Sequence, residues 1–296
     1  MDEMILLLGH GSRDPEGVAE FLDLVAEVRA ASERPVEAGV LEFAGPTMPS
    51  IQSAIDRGFA QGFRRILAVP VLLLNAGHAQ RDMPAEIARA QARYPKIELR
   101  LAEPLGIQRG LLEILEERVG EEMGNAVVSP KDSTAVLLVG RGTTDAEANG
   151  DIYKIARLLW ERNRFALVEC GFAGTTQPTI TEGITRCVLL GARRILVVPY
   201  FINTGLLVQR IRTQAAQARD SYPDVQIAVC QHLGVHPKLV RLLLARARAL
   251  VDGDAVPADP PIGRTWRYPY HHHHHSDQGD LHHSDRVSDQ SAEPAR

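Results

Sequence analysis

Two rhythms of apolar positions alternate along this chain. Short unbroken apolar runs, rich in β-branched residues, read as strands at about 4–8, 36–42, 65–73 and 97–102. Between them, apolar residues recur at helical spacing, as at Phe21, Leu24, Val25 and Val28. This predicts helices at about 16–31, 48–62, 80–93 and 107–123. The strand rhythm returns at about 135–139, 166–172, 194–201 and 225–230. Alternating strands and helices of this length predict an α/β fold: two tandem domains, each a four-stranded parallel sheet flanked by helices.

The second set of elements repeats the first in detail. Val36-Glu37-Ala38-Gly39 matches Val168-Glu169-Cys170-Gly171, and Arg64-Arg65-Ile66-Leu67 matches Arg193-Arg194-Ile195-Leu196. Tyr94-Pro95 matches Tyr222-Pro223, and Leu105-Gly106 matches Leu233-Gly234. A period of about 130 residues marks a domain duplication and not a solenoid. The expected organisation is a first domain over 1–123, a linker over 124–134 and a second domain over 135–251. A tail rich in Pro, Asp, His and Ser over 252–296 is expected to be disordered.

The repeat is unequal where chemistry is concerned. The first copy leaves its opening strand through Gly9-His10-Gly11-Ser12-Arg13-Asp14; the second leaves through Gly140-Arg141-Gly142-Thr143-Thr144-Asp145. Asn75-Ala76-Gly77-His78 has its counterpart in Asn203-Thr204-Gly205-Leu206. The scaffold occurs twice and the imidazoles once, which points to one working half and one degenerate half.

In an open parallel sheet, ligands bind beyond the carboxyl ends of the strands, where strand order reverses. His10, Glu42 and His78 all fall on that edge of the first sheet. Two imidazoles and a carboxylate suit a divalent transition metal and proton transfer near neutral pH. Gly9, Gly11 and Gly77 leave room beside the imidazoles for a flat ligand. The Gly9–Ser12 loop lacks the lysine and the further glycine of nucleotide-phosphate loops, which disfavours that use.

Charge and composition narrow the partners. The chain has 296 residues with 37 acidic and 33 basic side chains. Residues 252–296 hold 8 of the acidic and 4 of the basic ones, so the net charge of −4 lies wholly in the tail. A neutral core gives no electrostatic basis for binding nucleic acid. No apolar run has the length of a membrane span, and the start of the chain lacks the basic segment of a signal peptide. Cys170, Cys187 and Cys230 are odd in number and lack metal-site spacing; they read as reduced thiols in a cytoplasmic protein. His232 and His236 are four apart, but a helix entry near Gly234 separates them, and they read as structural. His271, His272, His273, His274, His275, His282 and His283 make the tail a metal-binding composition.

Taken together, Gly9-His10-Gly11-Ser12-Arg13, Glu42-Phe43-Ala44, and Gly77-His78 followed by Asp82 and Pro84 resemble the sirohydrochlorin cobaltochelatase family, the class II tetrapyrrole chelatases. The resemblance spans residues 1 to about 250 as two fused family domains, and the histidine-rich tail is similar to that of long members. It implies insertion of Co²⁺ into sirohydrochlorin without ATP, in cobalamin biosynthesis, with sirohaem synthesis by Fe²⁺ insertion as the alternative. It also implies that His10 and His78 bind the metal and help remove pyrrole protons, with Glu42 assisting. The substrate's carboxylates would then meet Arg13 and Arg81, beside Gly9, Gly11, Ser12 and Gly77. Arg141 and Leu206 depart from the family pattern, which places catalysis in the first half. The cysteine motif of iron–sulfur members is missing, so no cluster and no tightly bound cofactor are expected. The other class of reading is a non-catalytic metal-binding or chaperone protein. A monomer whose halves mimic a dimer is the expected assembly.

Overall fold

The computed structural model describes residues 2–76, 81–124, 134–163 and 165–252. Its first half runs β1 (Glu3–Gly9), α1 (Pro15–Ala31), β2 (Val36–Val40), α2 (Ile51–Ala60), β3 (Arg65–Pro70), α3 (Asp82–Arg93), β4 (Glu98–Leu101) and α4 (Arg109–Met123). The second half runs β5 (Thr134–Gly140), α5 (Ala146–Asn163), β6 (Leu167–Phe172), α6 (Ile180–Leu189), β7 (Arg194–Pro199), α7 (Leu206–Ser221), β8 (Gln226–Val229) and α8 (Pro237–Asp252). Both sheets are four-stranded and parallel, in the orders β2-β1-β3-β4 and β6-β5-β7-β8. The expected α/β architecture is therefore present twice.

The unbroken apolar runs follow from burial on both sheet faces. Along β1, Ile5 and Leu7 face one core with α1 residues Phe21 and Leu24, while Met4, Leu6 and Leu8 face a second core with Ile51 and Ile55 of α2. The first of these cores is common to both halves. It joins Leu7 and Leu67 to Leu138 and Leu196 through Leu112 and Leu115 of α4 and Leu239 and Leu243 of α8. Each closing helix crosses over: α4 packs on β7 and α5, and α8 packs on β3 and α1. At the α4–α8 crossing, a Cβ on Gly110 would lie 3.2 Å from Leu242.

Element ends follow local chemistry. Asp14 caps α1 by accepting from the Glu16 amide at 3.0 Å, with Pro15 in the first turn, where its missing N–H costs nothing. Ser50 caps α2, which therefore starts at Ile51 and not near 48. β2 ends at Val40, two residues before Glu42, because the chain turns away at Phe43 with φ 55°. β3 ends at Pro70, although the Val71 amide still donates to Leu8 at 2.8 Å. α3 begins at Asp82.

Polar contacts also tie the halves. His232 Nε2 lies 2.9 Å from Glu20 Oε2, which also accepts from the Thr204 amide at 2.6 Å. Arg118 donates to the carbonyls of His232 at 3.0 Å and Leu233 at 2.9 Å. His236 Nε2 lies 2.9 Å from Glu117, which also meets Lys238. His232 and His236 are thus structural, each joined to a carboxylate of the other half. Among the described residues, no helix is long and apolar enough to cross a membrane.

Candidate functional site

The site grows from the carboxyl ends of the central strands. The parallel ladder runs two residues past β2 and one past β1: the Leu41 amide donates to Gly9 at 3.1 Å and the Glu42 amide to His10 at 2.9 Å. His10 and Glu42 are therefore brought together by backbone pairing. The loop between them is tight. Gly11 has φ +96°, and a Cβ there would lie 2.0 Å from the Glu42 carbonyl oxygen. A Cβ on Gly9 would lie 2.8 Å from the Phe21 ring. The expectation that these two glycines make room for a ligand is revised on this geometry, because the space beside them is filled by protein atoms.

After β3, residues 72–76 form the next loop. The Leu105 and Gly106 amides pin it by donating to Leu72 at 2.9 Å and Leu73 at 2.8 Å. In the second half, Leu233 and Gly234 donate to Phe201 at 3.0 Å and Ile202 at 3.1 Å. The repeated Leu-Gly pairs thus fix the loops that leave the two switch-point strands.

These loops line an open cavity of about 470 Å³ at the carboxyl edges of both sheets. Ligand cavities commonly measure about 300–1,000 Å³. One wall is His10 with residues 71–74 and Ala76; the other includes Arg141, Thr143, Asn149, Tyr200 and Asn203. The cavity thus lies between the two halves, and His10 lines it. Burial raises the Tyr200 hydroxyl above its ordinary range.

Among the described residues lining the cavity, Glu42, Ser12, Arg13 and Arg81 do not appear. The Arg13 guanidinium lies 4.6 Å from the centroid of the Phe43 ring. Ser12 Oγ accepts from the Asp14 amide at 3.0 Å, so this hydroxyl holds the turn into α1. Arg81 precedes α3 and is exposed. Gly77 and His78, and the tail histidines His271 to His275, His282 and His283, lie outside the described residues. Among the described residues, no three His, Cys, Asp or Glu side chains form a metal-binding group. The three cysteines are free and buried, and burial pushes each thiol up to about 12.

Sequence reasoning missed the polar wall of the second half: Thr143, Asn149, Tyr200 and Asn203. It also missed the counterpart of Glu42. The Ala173 amide donates to Gly140 at 2.9 Å and the Gly174 amide to Arg141 at 2.7 Å, so Gly174 stands where Glu42 does. The matched Gly39 and Gly171 segments already set that register.

Two doubly wound halves lining a shared cavity, with an imidazole on one wall, define an α/β protein of duplicated type. The chain belongs to the CbiX family, whose model matches residues 4–122 and again 135–250. It is 38% identical over 251 residues to the sirohydrochlorin cobaltochelatase of Priestia megaterium, covering 84% of this chain and 80% of that protein. It is 31% identical to the sirohydrochlorin ferrochelatase of the same organism, covering 84% and 91%. Among solved structures it is similar to the sirohydrochlorin chelatase SirB from Bacillus subtilis subspecies spizizenii in complex with cobalt, with TM-score 0.70, 28% identity and coverage of 86% and 97%. SirB from Bacillus subtilis with Fe³⁺ gives TM-score 0.74 at 28% identity, covering 86% and 98%.

Proposed function

We propose that this chain is a sirohydrochlorin chelatase that inserts Co²⁺ into the macrocycle without ATP, for cobalamin biosynthesis. The observation that carries this reading is His10 on the wall of the 470 Å³ cavity, with the Glu42 backbone one hydrogen bond away. Family membership and the names of the relatives support it.

The reaction exchanges two pyrrole N–H protons for one divalent cation. Two protons leave the macrocycle and its four nitrogens take the metal. A neutral imidazole can hold the incoming ion by a nitrogen lone pair, or accept a departing proton, but not both at once through one nitrogen. The reaction therefore needs more than one such group. His10 and His78 are assigned to metal binding and proton removal, and Glu42 to assistance. Arg13, on the first-half surface beside Glu42 and Phe43, and Arg81 are assigned to substrate carboxylates. One chain supplies both walls of the cleft, which supports a monomer whose halves mimic a dimer. The histidine tail is assigned to concentrating metal.

Fe²⁺ is the alternative substrate metal, supported by the ferrochelatase relative and by SirB with Fe³⁺. Nitrogen and oxygen donors hold both ions, and affinity order separates them poorly. The test is purified protein with metal-free sirohydrochlorin and either Co²⁺ or Fe²⁺, under anaerobic conditions, followed by absorbance. Faster insertion of Co²⁺ at equal free metal supports cobalamin synthesis, and faster insertion of Fe²⁺ assigns the chain to sirohaem. Metal binding with no spectral change of the tetrapyrrole would leave a metal chaperone.

A further inference from the structure

The second half keeps the loop geometry of the first and inverts its charge. Arg141 stands at the place of His10 and Gly174 at the place of Glu42, held by the same pair of ladder hydrogen bonds. A Cβ on Gly174 would lie 2.6 Å from the Arg141 carbonyl oxygen, so this position closes on the Arg141 backbone and carries no carboxylate. The loop is rigidly built. Asn149 accepts from the Thr143 amide at 3.0 Å and donates to the Thr143 carbonyl at 2.7 Å, and the Thr176 hydroxyl donates to that carbonyl at 2.8 Å. Asp145 is engaged in capping α5, accepting from the Glu147 amide at 3.0 Å.

Arg141 lines the same cavity as His10, and among the described residues no carboxylate forms an ion pair with its guanidinium. An exposed guanidinium carried on this rigid loop offers a planar fork of donors that matches a carboxylate. We propose that Arg141 is a substrate-binding residue that takes a peripheral carboxylate of the tetrapyrrole. The degenerate half thereby anchors the ring while the first half performs the metal exchange. This assignment rests on the chelatase reading above.

The experiment titrates metal-free sirohydrochlorin into the full chain, by absorbance and fluorescence, for the parent, Arg141→Gln and Arg141→Lys. Insertion of Co²⁺ is measured in parallel. Arg141→Gln should raise Kd and KM about tenfold or more, the usual size of a lost charge-assisted hydrogen bond. Its kcat at saturating tetrapyrrole should stay within about twofold, because the metal-exchanging groups are untouched. Arg141→Lys should recover part of the affinity. With the carboxyl-esterified macrocycle, parent and Arg141→Gln should bind alike. A folded Arg141→Gln protein that binds sirohydrochlorin like an inserting parent overturns the Arg141 assignment alone. A parent that inserts no metal overturns the chelatase reading.

Discussion

Gly11→Ala probes how tightly the backbone couples His10 to Glu42. Two costs are separable. A residue with a Cβ at φ +96° pays about 1–2 kcal/mol for the left-handed region. The new Cβ would also lie 2.0 Å from the Glu42 carbonyl oxygen, a backbone atom that cannot rotate away. The two loops must separate, which breaks the 2.9 Å hydrogen bond from the Glu42 amide to His10, worth about 0.5–1.5 kcal/mol. The total is about 1.5–3.5 kcal/mol, or a fall in Tm of about 3–14 °C for a domain of this size. Gly62→Ala is the control for backbone strain alone, since Gly62 has φ +93° with nothing within 4 Å of its Cβ position. Calorimetry should show the larger fall for Gly11→Ala. The insertion assay should show a loss of about a hundredfold for Gly11→Ala, the size expected when reacting groups move by about 1 Å, and none for Gly62→Ala. Equal Tm values for the two variants, or parent activity in Gly11→Ala, would refute this coupling.

Other outcomes follow from the same geometry. His232→Ala should cost about 1–3 kcal/mol in chemical denaturation, because Glu20 loses its buried partner at 2.9 Å. Cys170, Cys187 and Cys230, with thiols pushed up to about 12 by burial, should resist thiol reagents at pH 8 and react once the chain is unfolded. Glu117 is held below the usual carboxylate range, first by its hydrogen bond from Lys238. Its contribution is therefore present above the ordinary carboxylate pKa and lost as pH falls through the lowered value, so Lys238→Met should flatten the acid side of a Tm–pH profile. Truncation after Asp252 should leave the insertion rate unchanged at saturating metal and lower it when metal is scarce; complete loss at high Co²⁺ would reject a concentrating role for the tail.

The strands were legible because residues such as Met4 to Leu8 are buried on both faces, which forces a continuous apolar run. The loop glycines were legible as a pattern but not in purpose. Gly11 looked like space for a ligand, whereas its neighbour is the Glu42 carbonyl, a contact made by a turn that sequence does not fix. The exchange of α4 and α8 was hidden because an amphipathic helix declares an apolar face without declaring which sheet will cover it. The Glu20–His232 contact spans 212 positions and leaves no local trace. The cavity's second wall was the least legible part. Tyr200 and Asn203 carry no motif, and their role emerges only when two separate strand ends meet across one space.

The central claim is metal exchange on the His10 wall of that cavity. It is tested most directly by following sirohydrochlorin absorbance with Co²⁺, without ATP, for the parent and His10→Ala at matched folded concentration. The account predicts conversion well above the enzyme-free rate for the parent, and a fall of about a hundredfold or more for His10→Ala with its circular dichroism unchanged. Conversion by His10→Ala at the parent rate would contradict it.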